Sequence, residues 1–229
     1  MLTFKQYLIE AVKEGKNLHL EHLEDEVLNH GVDGTRAAIN FLQSLRDMLA
    51  GNAKKSVNVS VKWDGAPAIF AGINPENDKF FVGTKGVFNV NPKVNYTDAD
   101  IDKNHSAAGL NAKLKVALKH LPKLGITDVL QGDMLFTDDD FKTETIDDKS
   151  YITFTPNTIT YAIPKESSHK ITKAKMGIVW HTTYSGEKLE DMRASFGANI
   201  GGLTKTNDVW FSDADYQDTS GTVNFNKAE

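Results

Sequence analysis

Residues 60–72 read Ser-Val-Lys-Trp-Asp-Gly-Ala-Pro-Ala-Ile-Phe-Ala-Gly, and within them Lys62, Asp64 and Gly65 are residue types that phosphate chemistry can use. A protonated lysine is a poor nucleophile, and it becomes a good one when burial or neighbouring cations depress its pKa. A strand end inside a pocket supplies such burial, and a nearby glycine lets the backbone approach a phosphate closely. The same residues would also serve an ordinary hairpin with a charged edge. The rest of the chain has to decide between the two.

Other constellations carry less. His19, His22 and Glu26 fall on one helical face, since residues three and four apart are neighbours, and imidazole with carboxylate at that spacing can hold zinc. No His-Glu-x-x-His pattern accompanies them, so a solvated acidic face is the better reading. His105, beside Ser106 at an expected helix start, reads as structural, as loop-lining or as a phosphate contact. His181, after Gly-Ile-Val-Trp, either adjoins the same pocket or is a satisfied core group. The run Asp138 to Asp140 lacks calcium-loop spacing and reads as a solvated turn. Neither a P-loop nor a Gly-x-Ser-x-Gly elbow is present.

Composition narrows the classes further. At 229 residues and 40% hydrophobic, the chain can bury one good core, or one larger and one small. Zero cysteines exclude disulfides, thiolate metal sites and a cysteine nucleophile. No apolar run has the length of a membrane span, and the opening residues lack a signal-peptide pattern, so no membrane partner and a cytoplasmic location are expected. A net charge of −5 argues against a uniformly basic nucleic-acid coat but allows a local basic groove. Two lysine clusters exist, Lys113, Lys115, Lys119 and Lys123, and Lys165, Lys170, Lys173 and Lys175; a solvated face is the plain reading of each.

The elements that would position Lys62 follow from the periodicity. Residues 1–52 read as a helical N-terminal extension, with a break near Gly31 and a second helix capped by Asp33 or Thr35. From residue 53 to 229 the pattern is that of one α+β domain. Strands are expected at 57–63, 67–73 and 79–85, the last two joined by a turn at Asn-Pro-Glu-Asn-Asp. A polar stretch from Gly86 to Ser106 reads as a mobile flap. A helix over 107–121 is followed by a strand at 128–136, an acidic loop at 137–150, and a hairpin over 151–164 turning at Pro156-Asn157. A strand at 176–184, a short helix at 187–196 and a last strand at 207–213 complete the reading.

Lys62-Trp63-Asp64-Gly65 fits Lys-x-Asp-Gly, and in this setting the chain resembles the lysine-dependent nucleotidyltransferases, the superfamily of polynucleotide ligases and RNA-capping enzymes. The resemblance spans about residues 56–180 and implies an antiparallel-sheet adenylation domain. It implies that Lys62 attacks the α-phosphate of ATP or GTP, with Asp64 and Gly65 shaping the site. Lys85 stands where a phosphate-holding basic residue is usual. Leu-Gln-Gly-Asp-Met-Leu-Phe gives Asp133 at the position of a Gly-Glu motif, where it would face the ribose or a metal. Phe154 or Tyr161 would stack on the base. Met176-Gly-Ile-Val matches a Glu-Gly-x-Val motif with Met176 in place of the metal-supporting glutamate. Lys173-Ala-Lys175 is a Lys-x-Lys pair whose charges would line the triphosphate, and it precedes that motif where the family places it after. Pro67 stands where DNA ligases often carry an arginine.

The activity so implied is an ATP- and Mg²⁺-dependent polynucleotide ligase-like adenylyltransferase. Its partner would be a nucleic acid, a nicked duplex or a 5′-phosphorylated strand. Met176 and the displaced Lys-x-Lys equally suit a member of the fold that binds nucleotide or nucleic acid, or assists assembly, without turnover. Oligomeric state is left open.

Overall fold

The structure, a computed structural model, describes residues 23–49, 62–89 and 91–214. These fall in two compact units, one holding residues 23–49 and the other 62–214. The expected strand at 57–63 lies outside the described residues as far as position 61, and Lys62 to Gly65 are not strand. His19 and His22 also lie outside them.

In the first unit, helix α1 (Leu23–Leu49) breaks at Gly31, whose φ of 56° and ψ of −126° are not helical. Glycine tolerates this left-handed geometry because it has no Cβ. The Thr35 hydroxyl donates to the Gly31 carbonyl at 2.8 Å, and Asp33 pairs with Arg36 at 3.4 Å. Leu28, Val32, Phe41 and Leu42 of this helix are exposed.

The second unit is α+β. Its main sheet runs β2 (Lys79–Gly83), β1 (Ala68–Asn74), β3 (Val129–Thr137), β7 (Met176–Ser185), β8 (Arg193–Phe196), with β9 (Val209–Asp213) also on β7. All pairings are antiparallel except β7 with β9, which is parallel. β8 pairs with Thr183–Ser185 and β9 with Met176–Trp180, so the two share one edge of β7 in succession. Helices α2 (Asp98–Asn104) and α3 (Ala108–His120) cover one face. Ile101, Leu114, Ala117 and Leu121 there meet Ile69, Ala71, Leu130, Met134, Ile178 and Trp180 of the sheet. Strand side chains alternate faces, so the intervening residues form the opposite face. Two further apolar clusters lie there, one around Phe70, Val129 and Tyr184, the other around Leu135, Phe154 and Val179.

Three sequence expectations are corrected. Gly86–Ser106 is no flap: its described residues form a 3₁₀ turn (Lys85–Phe88), a bridge from Asn95 to Val82, and α2. The anchor is Asn95, fully buried, whose amide donates to Val82 O at 2.9 Å and accepts from Asn104 at 2.9 Å. Thr97 and Asp100 form a capping box that starts α2.

The acidic loop is a 3₁₀ turn followed by β4 (Lys142–Ile146), which pairs with β5 (Lys149–Phe154). Asp147 and Asp148 link them at φ of 48° and 61°. Two positive-φ residues make the primed turn that matches strand twist. β4 is exposed throughout, so it has no apolar alternation to betray it. With β6 (Tyr161–Pro164) these strands make a second, three-stranded sheet. Lastly, residues 187–196 are a 3₁₀ turn and then β8, not a helix.

Candidate functional site

On the face opposite α2 and α3, β3 presents Val129 in one apolar cluster and Leu135 in the other, with Gln131 and Asp133 between them. The chain from Lys62 to Pro67 runs across this polar strip. Ala66 N donates to Met134 O at 2.9 Å, and Met134 N donates to Pro67 O at 3.0 Å. The Ala66–Pro67 peptide bond is cis. Gly65 lies directly on Asp133: a Cβ at Gly65 would stand 2.6 Å from Asp133 Cβ and 2.9 Å from Met134 O. Only a residue without a side chain fits there, since carbon atoms in contact need about 3.5–4.0 Å. Lys-Trp-Asp-Gly and Gly-Asp, far apart in sequence, are thus in contact.

Asp64 is held by the turn between β5 and β6. Its carboxylate accepts from Asn157 Nδ2 at 2.7 Å, Thr158 N at 2.7 Å and Ile159 N at 2.6 Å. The Asn157 side chain first, then the Ile159 and Thr158 amides, keep its carboxyl below the usual carboxylate range, and the charge of Lys62 adds to this. The Asp64 amide in turn donates to the Tyr161 hydroxyl at 2.9 Å. The Tyr161 ring stacks on Trp63, with centroids 5.7 Å apart, and on Phe154 at 5.3 Å. Lys62 is itself exposed, not buried at a strand end as expected, and the residues that follow it are fixed at Asp64 by the β5–β6 turn and at Ala66 by β3.

His181 approaches the strip by a register device. Gln131 pairs with Thr182 and Gly132 with Trp180, which leaves His181 as the extra residue of a bulge. Bulges re-aim side chains and recur beside functional sites. The His181 ring nitrogen Nε2 lies 3.7 Å from Asp133 Oδ2, and both side chains are partly buried. Its Nδ1 is 2.8 Å from the Thr182 hydroxyl. Gly132 lets the strands close at this point, because a Cβ there would lie 2.8 Å from the Trp180 ring.

The structure brings Lys62, Asp64, Gly65, Asp133, Tyr161 and Phe154 into one neighbourhood. Phe154 is buried, enclosed by Phe136, Phe141 and Tyr161, so Tyr161 and Trp63 are the half-buried rings of that stack. Lys85 is exposed on the turn whose Val87 and Phe88 pack in the Phe70 cluster of the same face. Lys175 is not at Asp133. It pairs with Asp138 at 2.6 Å beyond the Thr137–Met176 end of the ladder, about 13 Å along β3. Lys173 is exposed in the segment leading to it. Met176 is fully buried in the sheet core beneath the helices. Pro156-Asn157 marks the turn in the sequence, but its hydrogen bonds to Asp64 and the bulge at His181 have no local sequence signal.

A magnesium ion is the metal to test against these residues. Among the described residues, no three His, Cys, Asp or Glu side chains converge as a metal cage. Mg²⁺ commonly takes only one or two carboxylates and completes its shell with phosphates and water. Asp133 fits that role: among the described residues its carboxylate has a single side-chain neighbour in ion-pair range, the His181 ring at 3.7 Å.

No curated protein and no solved structure matches the chain. A family model matches residues 17–229, described as a family of unknown function (DUF6267). The chain, matched over nearly its whole length, belongs to that family.

Proposed function

We propose that the protein is an ATP-dependent, polynucleotide ligase-like adenylyltransferase with Lys62 as nucleophile. The observation that supports this most is the contact of Gly65 with Asp133, which joins the lysine motif to a carboxylate that accepts no short hydrogen bond among the described residues. Unprotonated Lys62 Nζ attacks the α-phosphorus of ATP, the bond to pyrophosphate breaks, and the amine proton leaves to solvent. Asp133 would hold Mg²⁺ or the ribose, and bound Mg²⁺ neutralises charge on the phosphate oxygens. His181, beside Asp133, adds a ring nitrogen to the same region. Lysine-bound AMP then passes to a nucleic-acid 5′-phosphate, the P–N bond breaking as the P–O bond forms. A 3′-hydroxyl finally attacks that 5′-phosphorus and releases AMP.

A second reading is a fold that binds nucleotide or nucleic acid without turnover. Met176 favours it, being buried apolar core where the resemblance puts a metal-supporting glutamate. One experiment separates the two: incubation with α-labelled ATP and Mg²⁺, denaturation, and detection of label on the protein. Turnover predicts an acid-labile, hydroxylamine-stable adduct that is absent in Lys62→Ala. No adduct with ATP, GTP or NAD leaves the second reading standing.

A further inference from the structure

Four lysines of the second unit are ion-paired among the described residues, and of those that are not, three lie close together between positions 165 and 173. Lys113, Lys115 and Lys123 pair with Asp140, Asp102 and Asp208 at 3.2, 2.7 and 2.6 Å, and Lys175 pairs with Asp138. These are neutralised within the protein. Lys165, Lys170 and Lys173 are all exposed, and none is within ion-pair distance of a carboxylate among the described residues. One acid, Glu166, and the exposed His169 share their segment.

The segment is built, not trailing. Ser168 N and Oγ donate to Lys165 O at 3.3 and 2.7 Å. Thr172 N and Oγ1 both donate to Ser168 O at 3.0 Å, and Ala174 N donates to Ile171 O at 3.0 Å. Ser168 and Ala174 are buried, and Ile171 packs into the Phe154 cluster. Three uncompensated cations thus stand on a fixed turn of a protein whose net charge is −5. Self-repulsion of such cations is tolerated without folding benefit, and a polyanion would relieve it.

The partner's chemistry follows from what adjoins the turn. The segment begins where β6 ends, and β6 begins with Tyr161, stacked on half-buried Trp63. From Tyr161 to Lys165 is about 13 Å of strand, a few nucleotides at about 3.4 Å each. Aromatic platforms beside a basic track are how proteins hold single-stranded nucleic acid. We propose that Lys165, Lys170 and Lys173 contact the phosphate backbone of a nucleic-acid single strand, with Trp63, the outer ring of the stack on Tyr161 and Phe154, as the adjoining base platform. This deepens the ligase-like reading and rests on it for one point, that the strand's 5′-phosphate lies toward Lys62.

The test is binding of a fluorescent 5′-phosphorylated oligonucleotide by anisotropy, across a salt series and without ATP. Replacing all three lysines by glutamine should lower the slope of log K against log salt by about 2, and weaken binding about 100-fold near 0.1 M salt. The triple arginine variant keeps the wild-type slope, as does the control Lys115→Gln/Lys123→Gln. An unchanged slope in the glutamine variant overturns the proposal, as does binding to phosphatidylserine vesicles in place of the oligonucleotide. Because binding is read without ATP, strand binding here together with no label on Lys62 in the separate ATP incubation sinks the adenylyl-transfer reading alone. Label on Lys62 with an unchanged salt slope sinks this surface alone.

Discussion

Gly65→Ala introduces one methyl group at the point where Lys-Trp-Asp-Gly crosses β3. That methyl would stand 2.6 Å from Asp133 Cβ and 2.9 Å from Met134 O. Ordinary carbon contacts begin near 3.5 Å, so one segment must retreat by about 1 Å. It cannot do so freely, because Ala66 N and Pro67 O are both bonded to Met134. Overpacking of this kind costs about 1–3 kcal/mol, and weakening one of those hydrogen bonds adds about 1 kcal/mol. For a cooperative unit of about 150 residues, a loss of about 2–4 kcal/mol lowers Tm by roughly 6–12 °C. Calorimetry of Gly65→Ala measures this directly. Asp133→Gly in the same background removes the nearer obstructing atom and should recover part of the loss, whereas Asp133→Ala, which keeps its Cβ, should not. A Gly65→Ala protein that melts within about 1 °C of wild type refutes the close approach, and with it the contact between the two motifs.

Tyr161→Phe keeps the ring stack but removes the acceptor of the Asp64 amide, so it should cost about 1 kcal/mol, or roughly 3 °C in Tm by calorimetry. His105 predicts a pH dependence. Asn95 uses its oxygen on Asn104, so its NH₂ donates to His105 Nε2 at 3.3 Å, which requires a neutral ring; burial, then Lys93, lower the His105 pKa. With the folded pKa below the unfolded value of about 6.5, the unfolded chain binds more protons in that interval, so stability present above it is lost as pH falls through it. His120, lowered chiefly by burial, acts in the same direction. Denaturant midpoints from neutral pH down to about pH 5 should fall, and His105→Gln should flatten part of that slope.

Sequence periodicity by itself determined the elements that bury an apolar face. β1, β2, β3 and β7 carry runs such as Ala-Ile-Phe-Ala-Gly-Ile and Gly-Ile-Val-Trp, and α3 repeats apolar residues at helical spacing. The break at Gly31 was equally legible, because a positive φ strongly favours glycine. Lys62, Asp64 and Gly65 could be singled out by residue type alone. Tertiary structure decided what those residues touch. β4 is a strand only because β5 pairs with it, since none of its side chains is buried. Asn95 turns an expected flap into ordered chain through hydrogen bonds to residues that no local period connects. His181 faces Asp133 because β7 has one residue more than β3 at that point, a count that exists only between paired strands. The division of the lysines into paired and uncompensated sets has the same origin. Local patterns report the burial of one face of one element, whereas the partners of a charge are set by whichever elements the fold lays beside it.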